Sequence, residues 1–288
     1  MRNFIITTEN TADFPKEYIE KHNLRTVDLT YNIDDVSYGV EGSPMHPSKM
    51  FYDLMRAGKT PKTTQVNPDG AKVFFEGLLK EGYDILHLAF SSGLSGTYNS
   101  MCIAAEELCA EYPEARITVV DSLCASLGEG LCVDYALELK EQGKSMEEIA
   151  EIIEAEKQTF SHQFTVDDLV YLYRGGRVSK TSAVLGTMLG IKPVLHVDEL
   201  GKLVPQSKVR GRKAAINSLV NNMIANMDRE KTTKFYISHG DCLEEAQALA
   251  DVVKEKTGIS DYLIGDIGPV IGSHSGPGTL ALFFRGKK

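Results

Sequence analysis

Apolar residues along this chain come in two rhythms. Short unbroken runs bounded by glycine or polar clusters predict buried strands, and runs spaced by three or four predict helices packed on them. Phe4-Ile5-Ile6-Thr7-Thr8 is the first strand-like run, followed by a polar loop and a helix over 15–22. Residues 24–33 read as a strand and 34–47 as an exposed loop or ribbon. A helix over 48–57 carries Met50, Phe51, Leu54 and Met55 on one face. A loop rich in hydroxyls and prolines, 59–68, leads to a helix over 69–81 and a central apolar strand, 84–90. A helix over 97–112 is stopped by Pro113, a strand covers 116–120 and a helix 124–141. Ser145 with Glu148 three residues on forms a capping box for the next helix.

This strand–helix alternation predicts parallel strands with crossover helices. After residue 161 the pattern changes. A short strand (163–166), a short helix (167–173) and a helix over 180–189 precede two apolar runs that flank Asp198-Glu199-Leu200-Gly201 as a β-hairpin. A helix (211–227), a strand (234–238), a helix (242–257) and two strands (262–267 and 279–284) complete the chain, the last two joined by a glycine-rich loop, 268–278. The expected fold is α/β in two domains: a parallel-sheet α/β/α domain over 1–161 and a mixed-sheet α/β domain over 162–288.

Bulk properties narrow the function. A formal net charge of −9 argues against a nucleic-acid partner. The longest apolar run, 183–191, is too short to span a bilayer, and residues 1–7 enter a strand without a signal-like segment, so a cytoplasmic protein is expected. The five cysteines, odd in number and lacking a CxxC, read as small hydrophobes. None of the seven histidines pair at helical spacing, so no metal site is expected.

Candidate chemistry centres on Phe90-Ser91-Ser92-Gly93-Leu94-Ser95-Gly96-Thr97-Tyr98, which joins a strand end to a helix start. Glycines admit a ligand to the backbone, and unpaired N–H groups and hydroxyls make a cradle for a phosphate or carboxylate. An ordinary Ser/Thr-capped helix start accounts for the same residues. A serine hydrolase using Ser95 as nucleophile and His274 as base is a rival, although the last glycine falls one place early for a nucleophile elbow. No P-loop or dinucleotide fingerprint occurs, so any ATP chemistry belongs to another chain. His274, flanked by glycines in a loop, is placed to meet a ligand. Arg174-Gly-Gly-Arg177 and Arg210-Gly-Arg212 set forked cations on hinged backbone, suited to a carboxylate, a phosphate or a partner's acidic patch.

As an ordered set, the 90–98 stretch, Val120-Asp-Ser122, Leu169-Val-Tyr-Leu-Tyr-Arg-Gly-Gly-Arg-Val178, Gly190-Ile-Lys-Pro193 and Ile271-Gly-Ser-His-Ser-Gly-Pro-Gly278 resemble the DegV family of lipid-binding proteins. That family includes the fatty-acid-binding subunit of bacterial fatty acid kinase. The resemblance spans the chain and implies a long-chain fatty acid buried between two α/β domains. It implies no cofactor on this chain, with ATP and magnesium on an ATP-dependent fatty acid kinase subunit, and brief membrane-surface contact for lipid exchange. Carried over by position, the carboxylate site would use Thr63, Ser95 and His274, with Ser92, Gly96 and Thr97 around it. Phe164, Met188, Leu189, Ile191 and Ile271 would line the tail, and Arg177 and Arg210 would face the kinase or its phosphate. Two departures stand out. Thr8-Glu9-Asn10-Thr11-Ala12-Asp13 replaces the usual Asp-Ser pair, and Thr63-Thr64-Gln65-Val66 the usual Thr-Ser-Gln-Pro. Energetically, about 14 buried methylenes at roughly 0.8 kcal/mol each supply the gross affinity, while a few hydroxyls set orientation.

Overall fold

The computed structural model describes residues 2–179 and 190–287. Four parallel strands form the first sheet in the order β2-β1-β6-β7: β1 (Phe4–Glu9), β2 (Arg25–Val27), β6 (Asp84–Ala89) and β7 (Ile117–Asp121). Alternation decides which side each residue serves. Ile5 and Ile85 pack under α3 (Pro68–Lys80) and α4 (Thr97–Glu111) through Ala71, Phe75, Leu78, Met101 and Ala104. Ile6, Leu86 and Leu88 pack on the opposite side against α5 (Leu127–Glu141), with α6 (Met146–Glu156) beyond it. The capping box at Ser145 and Glu148 starts α6 as expected.

The second sheet is mixed, ordered β10-β9-β8-β13-β11-β12, with only β11 and β12 parallel. Its strands are β8 (Phe160–Thr165), β9 (Ile191–Val197), β10 (Leu203–Arg210), β11 (Lys234–His239), β12 (Asp261–Asp266) and β13 (Leu280–Arg285). β8, where the sequence changes character, is the first strand of this sheet. α8 (Arg212–Asn226) and α9 (Leu243–Thr257) cover its outer face through Leu219, Met223, Leu249 and Val253. The inner face turns Phe160, Phe164 and Phe283 toward α5. That helix is therefore buried between two sheets, and its glycines serve close approach: a Cβ on Gly128 would lie 2.2 Å from His162 Nε2.

Three stretches differ from the sequence reading. The strand expected over 24–33 is two: β2 stays in the parallel sheet, and β3 (Thr30–Ile33) leaves it. β3 pairs with β4 (Val36–Tyr38), in the stretch that read as a loop or ribbon, and with β5 (Lys62–Thr64), inside what read as a loop. β-Pairing has recruited hydroxyl-rich residues that carry no apolar alternation. α2 (Ser48–Arg56) buries Phe51 and Tyr52 behind this small sheet, and the Tyr52 hydroxyl donates to the Ile267 carbonyl at 2.9 Å. The glycine-rich loop of 268–278 contains a helix, α10 (Pro269–Ser275), started by a proline in its first turn and ended by Gly276 at positive φ. The helix expected over 180–189 lies outside the described residues. Among those described, no helix is long and apolar enough to cross a membrane.

Candidate functional site

Between the two sheets lies a cavity of about 350 Å³, within the usual range for small-molecule sites. Most of its wall is apolar, with Phe90, Leu94, Phe164, Leu203, Ile271 and Phe283 among the lining residues. Thr63, Ser95, Arg177 and His274 also line it, brought together from four separate pieces of chain. Thr63 comes from β5, Ser95 from the turn before α4, Arg177 from the turn after α7 (Val170–Arg174), and His274 from α10.

The β6–α4 turn is held from behind by the buried carboxyl group of Glu9. Glu9 accepts the Phe90 N–H at 2.9 Å, while its other oxygen lies 3.1 Å from His87 Nε2. Thr7 meets the second ring nitrogen at 2.9 Å, so His87 is a fully partnered core histidine. The tip of the β9–β10 hairpin braces the turn from the front. Ser91 donates to the Gly201 carbonyl at 2.8 Å, and a Cβ on Gly93 would meet the Leu200 carbonyl oxygen at 2.4 Å.

At the polar end, His274 Nε2 lies 2.7 Å from Thr63 Oγ1. Burial, and secondarily the Arg177 charge, push the imidazole down to about 4, so it is neutral at pH 7. Its Nδ1 is buried and has no hydrogen-bond partner among the described residues. With the proton on Nε2, the ring donates to Thr63 and leaves the threonine O–H free to bond an anion. Arg177 donates through Nε and Nη2 to the Leu94 carbonyl at 3.1 and 2.8 Å, and burial lowers its pKa with no carboxylate among the described residues to offset it. Ser95 Oγ lies 2.9 Å from Thr97 Oγ1 and accepts the Thr97 N–H at 3.2 Å. The result is a neutral hydroxyl–imidazole pair beside a half-buried cation, an arrangement suited to an anionic head group.

This geometry does not assemble the serine hydrolase considered from sequence. His274 is bonded to Thr63, and its Nδ1 lacks the orienting acid that a triad needs. Nor does His274 sit in a loop; it occupies the last turn of α10. Gly175 makes room for it, since a Cβ there would lie 2.0 Å from His274 Nδ1. Gly175→Ala is expected to drive the imidazole out of its pocket and move its pKa from about 4 toward the ordinary 6.5. An NMR titration of His274 reads this; an unchanged low value would mean that burial at this position does not hold the ring neutral.

Of the other sequence candidates, Phe164 and Ile271 line the cavity, whereas Ser92, Gly96, Thr97 and Ile191 do not. Ser92 is exposed, with its amide on Asp121, and Thr97 is buried within the α4 start. Gly96 serves packing, because a Cβ there would lie 2.4 Å from Gln65 Oε1. Arg210 lies at the exposed end of β10, away from the cavity. Met188 and Leu189 are outside the described residues. Sequence reasoning passed over Ser126, Ser238 and Ser275, which also line the cavity; single serines in a turn, a strand and a short helix carry no periodic signal.

A model of the DegV family matches residues 3–287. The chain belongs to that family. It is 43% identical over 286 residues to a DegV domain-containing protein of Clostridium perfringens, covering 99% of this chain and 98% of that one. Among solved structures it superposes with a TM-score of 0.87 on a DegV family protein from Thermus thermophilus, described for its fatty acid binding, at 30% identity over 100% of both chains. A DegV lipid-binding protein from Thermotoga maritima gives a TM-score of 0.85 at 30% identity over 99% of each. The two-sheet α/β architecture is thus that of the family.

Proposed function

We propose that this protein binds a long-chain fatty acid in the cavity between its sheets and presents the carboxylate to a separate ATP-dependent kinase subunit. The observation that carries the reading is a largely apolar cavity ending in Thr63, Ser95, neutral His274 and an Arg177 without a carboxylate partner among the described residues. The solved relatives described as fatty-acid-binding share this fold across their whole length. Here the tail supplies affinity by burial, the Thr63 and Ser95 hydroxyls donate to the carboxylate, and Arg177 balances its charge.

The kinase half of the proposal rests on chemistry that the chain does not carry. Among the described residues no cluster suits a metal ion, and the sequence has no phosphate-binding loop. ATP and magnesium would therefore come with the partner, leaving acyl-phosphate formation to it. Exposed Arg210 gives that partner a cationic foothold. A cytoplasmic setting with brief membrane contact for lipid exchange fits the same role.

Denaturing mass spectrometry of an organic extract of the purified protein is expected to show a stoichiometric long-chain fatty acid. An empty extract, repeated after offering fatty acids, would overturn the binding reading. Loaded protein mixed with kinase subunit and ATP is expected to give an acyl phosphate, trapped by hydroxylamine. No trapped product from loaded protein would leave a lipid carrier without a kinase.

A further inference from the structure

The cavity contains a second polar group that a carboxylate head does not require. Ser126 at the start of α5, Ser238 on β11 and Ser275 at the end of α10 all line it, and their exposures are 4%, 0% and 6%. Ser126 Oγ lies 2.5 Å from Asp13 Oδ2 and donates to Ser238 Oγ at 2.9 Å. Ser238 is the acceptor in that bond, which leaves its own proton without an acceptor among the described residues. Ser275 Oγ is buried and has no hydrogen-bond partner among the described residues, so both its proton and its lone pairs are unused. Thr279 ties the two serines to one region of the wall. Its hydroxyl donates to the Ser275 carbonyl at 2.9 Å, and its carbonyl accepts the Gly240 N–H, two residues beyond Ser238, at 2.8 Å.

The unused Ser238 proton and the wholly unpaired Ser275 hydroxyl in one apolar cavity match a hydroxyl, which both accepts and donates. We propose that the cavity selects long-chain acids bearing a hydroxyl on the acyl chain, held between the Ser238 and Ser275 hydroxyls. This rests on the fatty-acid reading and refines it. An unsubstituted chain lying over these serines would remove them from water and return no hydrogen bond. A site that bonds a substrate hydroxyl discriminates against the analogue lacking it for that reason.

Competition binding on delipidated full-length protein tests the idea, using stearic acid and a positional series of mid-chain hydroxystearic acids. At least one hydroxylated isomer is expected to bind about tenfold more tightly than stearic acid, the effect of one well-placed hydrogen bond. In Ser238→Ala or Ser275→Ala that ratio is expected to fall to about one or below; two variants are made so that a folding defect in either leaves a readout. Stearic acid binding as tightly as every hydroxylated isomer would overturn the inference and leave the fatty-acid reading standing. So would a preference that survives both substitutions. Failure of stearic and hydroxystearic acids alike to bind would overturn the fatty-acid reading itself.

Discussion

Replacing Thr63 with valine and Ser95 with alanine together is expected to weaken fatty acid binding by a hundredfold or more. A hydrogen bond to a charged group contributes about 1.5–3 kcal/mol, so losing two comes to roughly 10²-fold at the low end. The loss grows further because the remaining groups cannot substitute. His274 Nε2, deprived of Thr63 Oγ1 at 2.7 Å, becomes a buried donor without an acceptor. Arg177 is already committed to the Leu94 carbonyl through two of its nitrogens. The tail-lining residues are untouched, so the methyl ester, which has no carboxylate charge, should bind both proteins with nearly equal affinity. Titration with the free acid and its methyl ester separates the two contributions. An unchanged free-acid affinity would remove the carboxylate site proposed here.

Much of the architecture is legible in the sequence because burial writes periodicity. The run Asp84–Ala89 is buried at every position and reads as a central strand at sight. The helix α5, its first two turns wholly buried between two sheets, still shows in its leucines. The site is legible for a different reason. Ser95 and His274 stand out through glycines around them, and Thr63 through the resemblance rather than through pattern. What stays hidden is what depends on distant pairing. β5 forms because Thr63 and Thr64 find Tyr31 and Thr30 across the sheet, and nothing in Lys62-Thr63-Thr64 announces it. α10 forms within a glycine-rich stretch because Val270, Gly272 and Ser275 are buried against the rest of the wall. The serines of the second polar group are hidden for the same reason: each lies on a different element, and only the fold assembles them.

The same wall yields the second large effect, on stability: Asp13→Asn is expected to gain on the wild type by on the order of 4 kcal/mol between pH 4 and pH 8. Burial raises the Asp13 carboxyl from 3.8 to about 7, against the lowering effect of the Ser126 hydroxyl and the Gly268 N–H, which it accepts at 2.9 Å. An unfolded Asp13 loses its proton near 3.8, whereas the folded one holds it to about 7. Between those values the native state binds more protons, so wild-type stability falls as pH rises, by about 1.36 kcal/mol per pH unit. Above about 7 the loss is complete. Asparagine has no proton to lose, keeps an oxygen for Gly268 and tolerates the left-handed backbone of this position, where φ is 53°. Buried His162 and His274, both pushed down to about 4, contribute the opposite slope. Their stabilisation is present above 6.5 and lost as pH falls toward 4, equally in both proteins, so it cancels in the difference. Urea denaturation of wild type and variant across that pH range measures the difference directly. A gap that stays constant with pH would mean that Asp13 ionises at its ordinary value, and that the charge beneath Ser126 is stabilised by more than the two hydrogen bonds named.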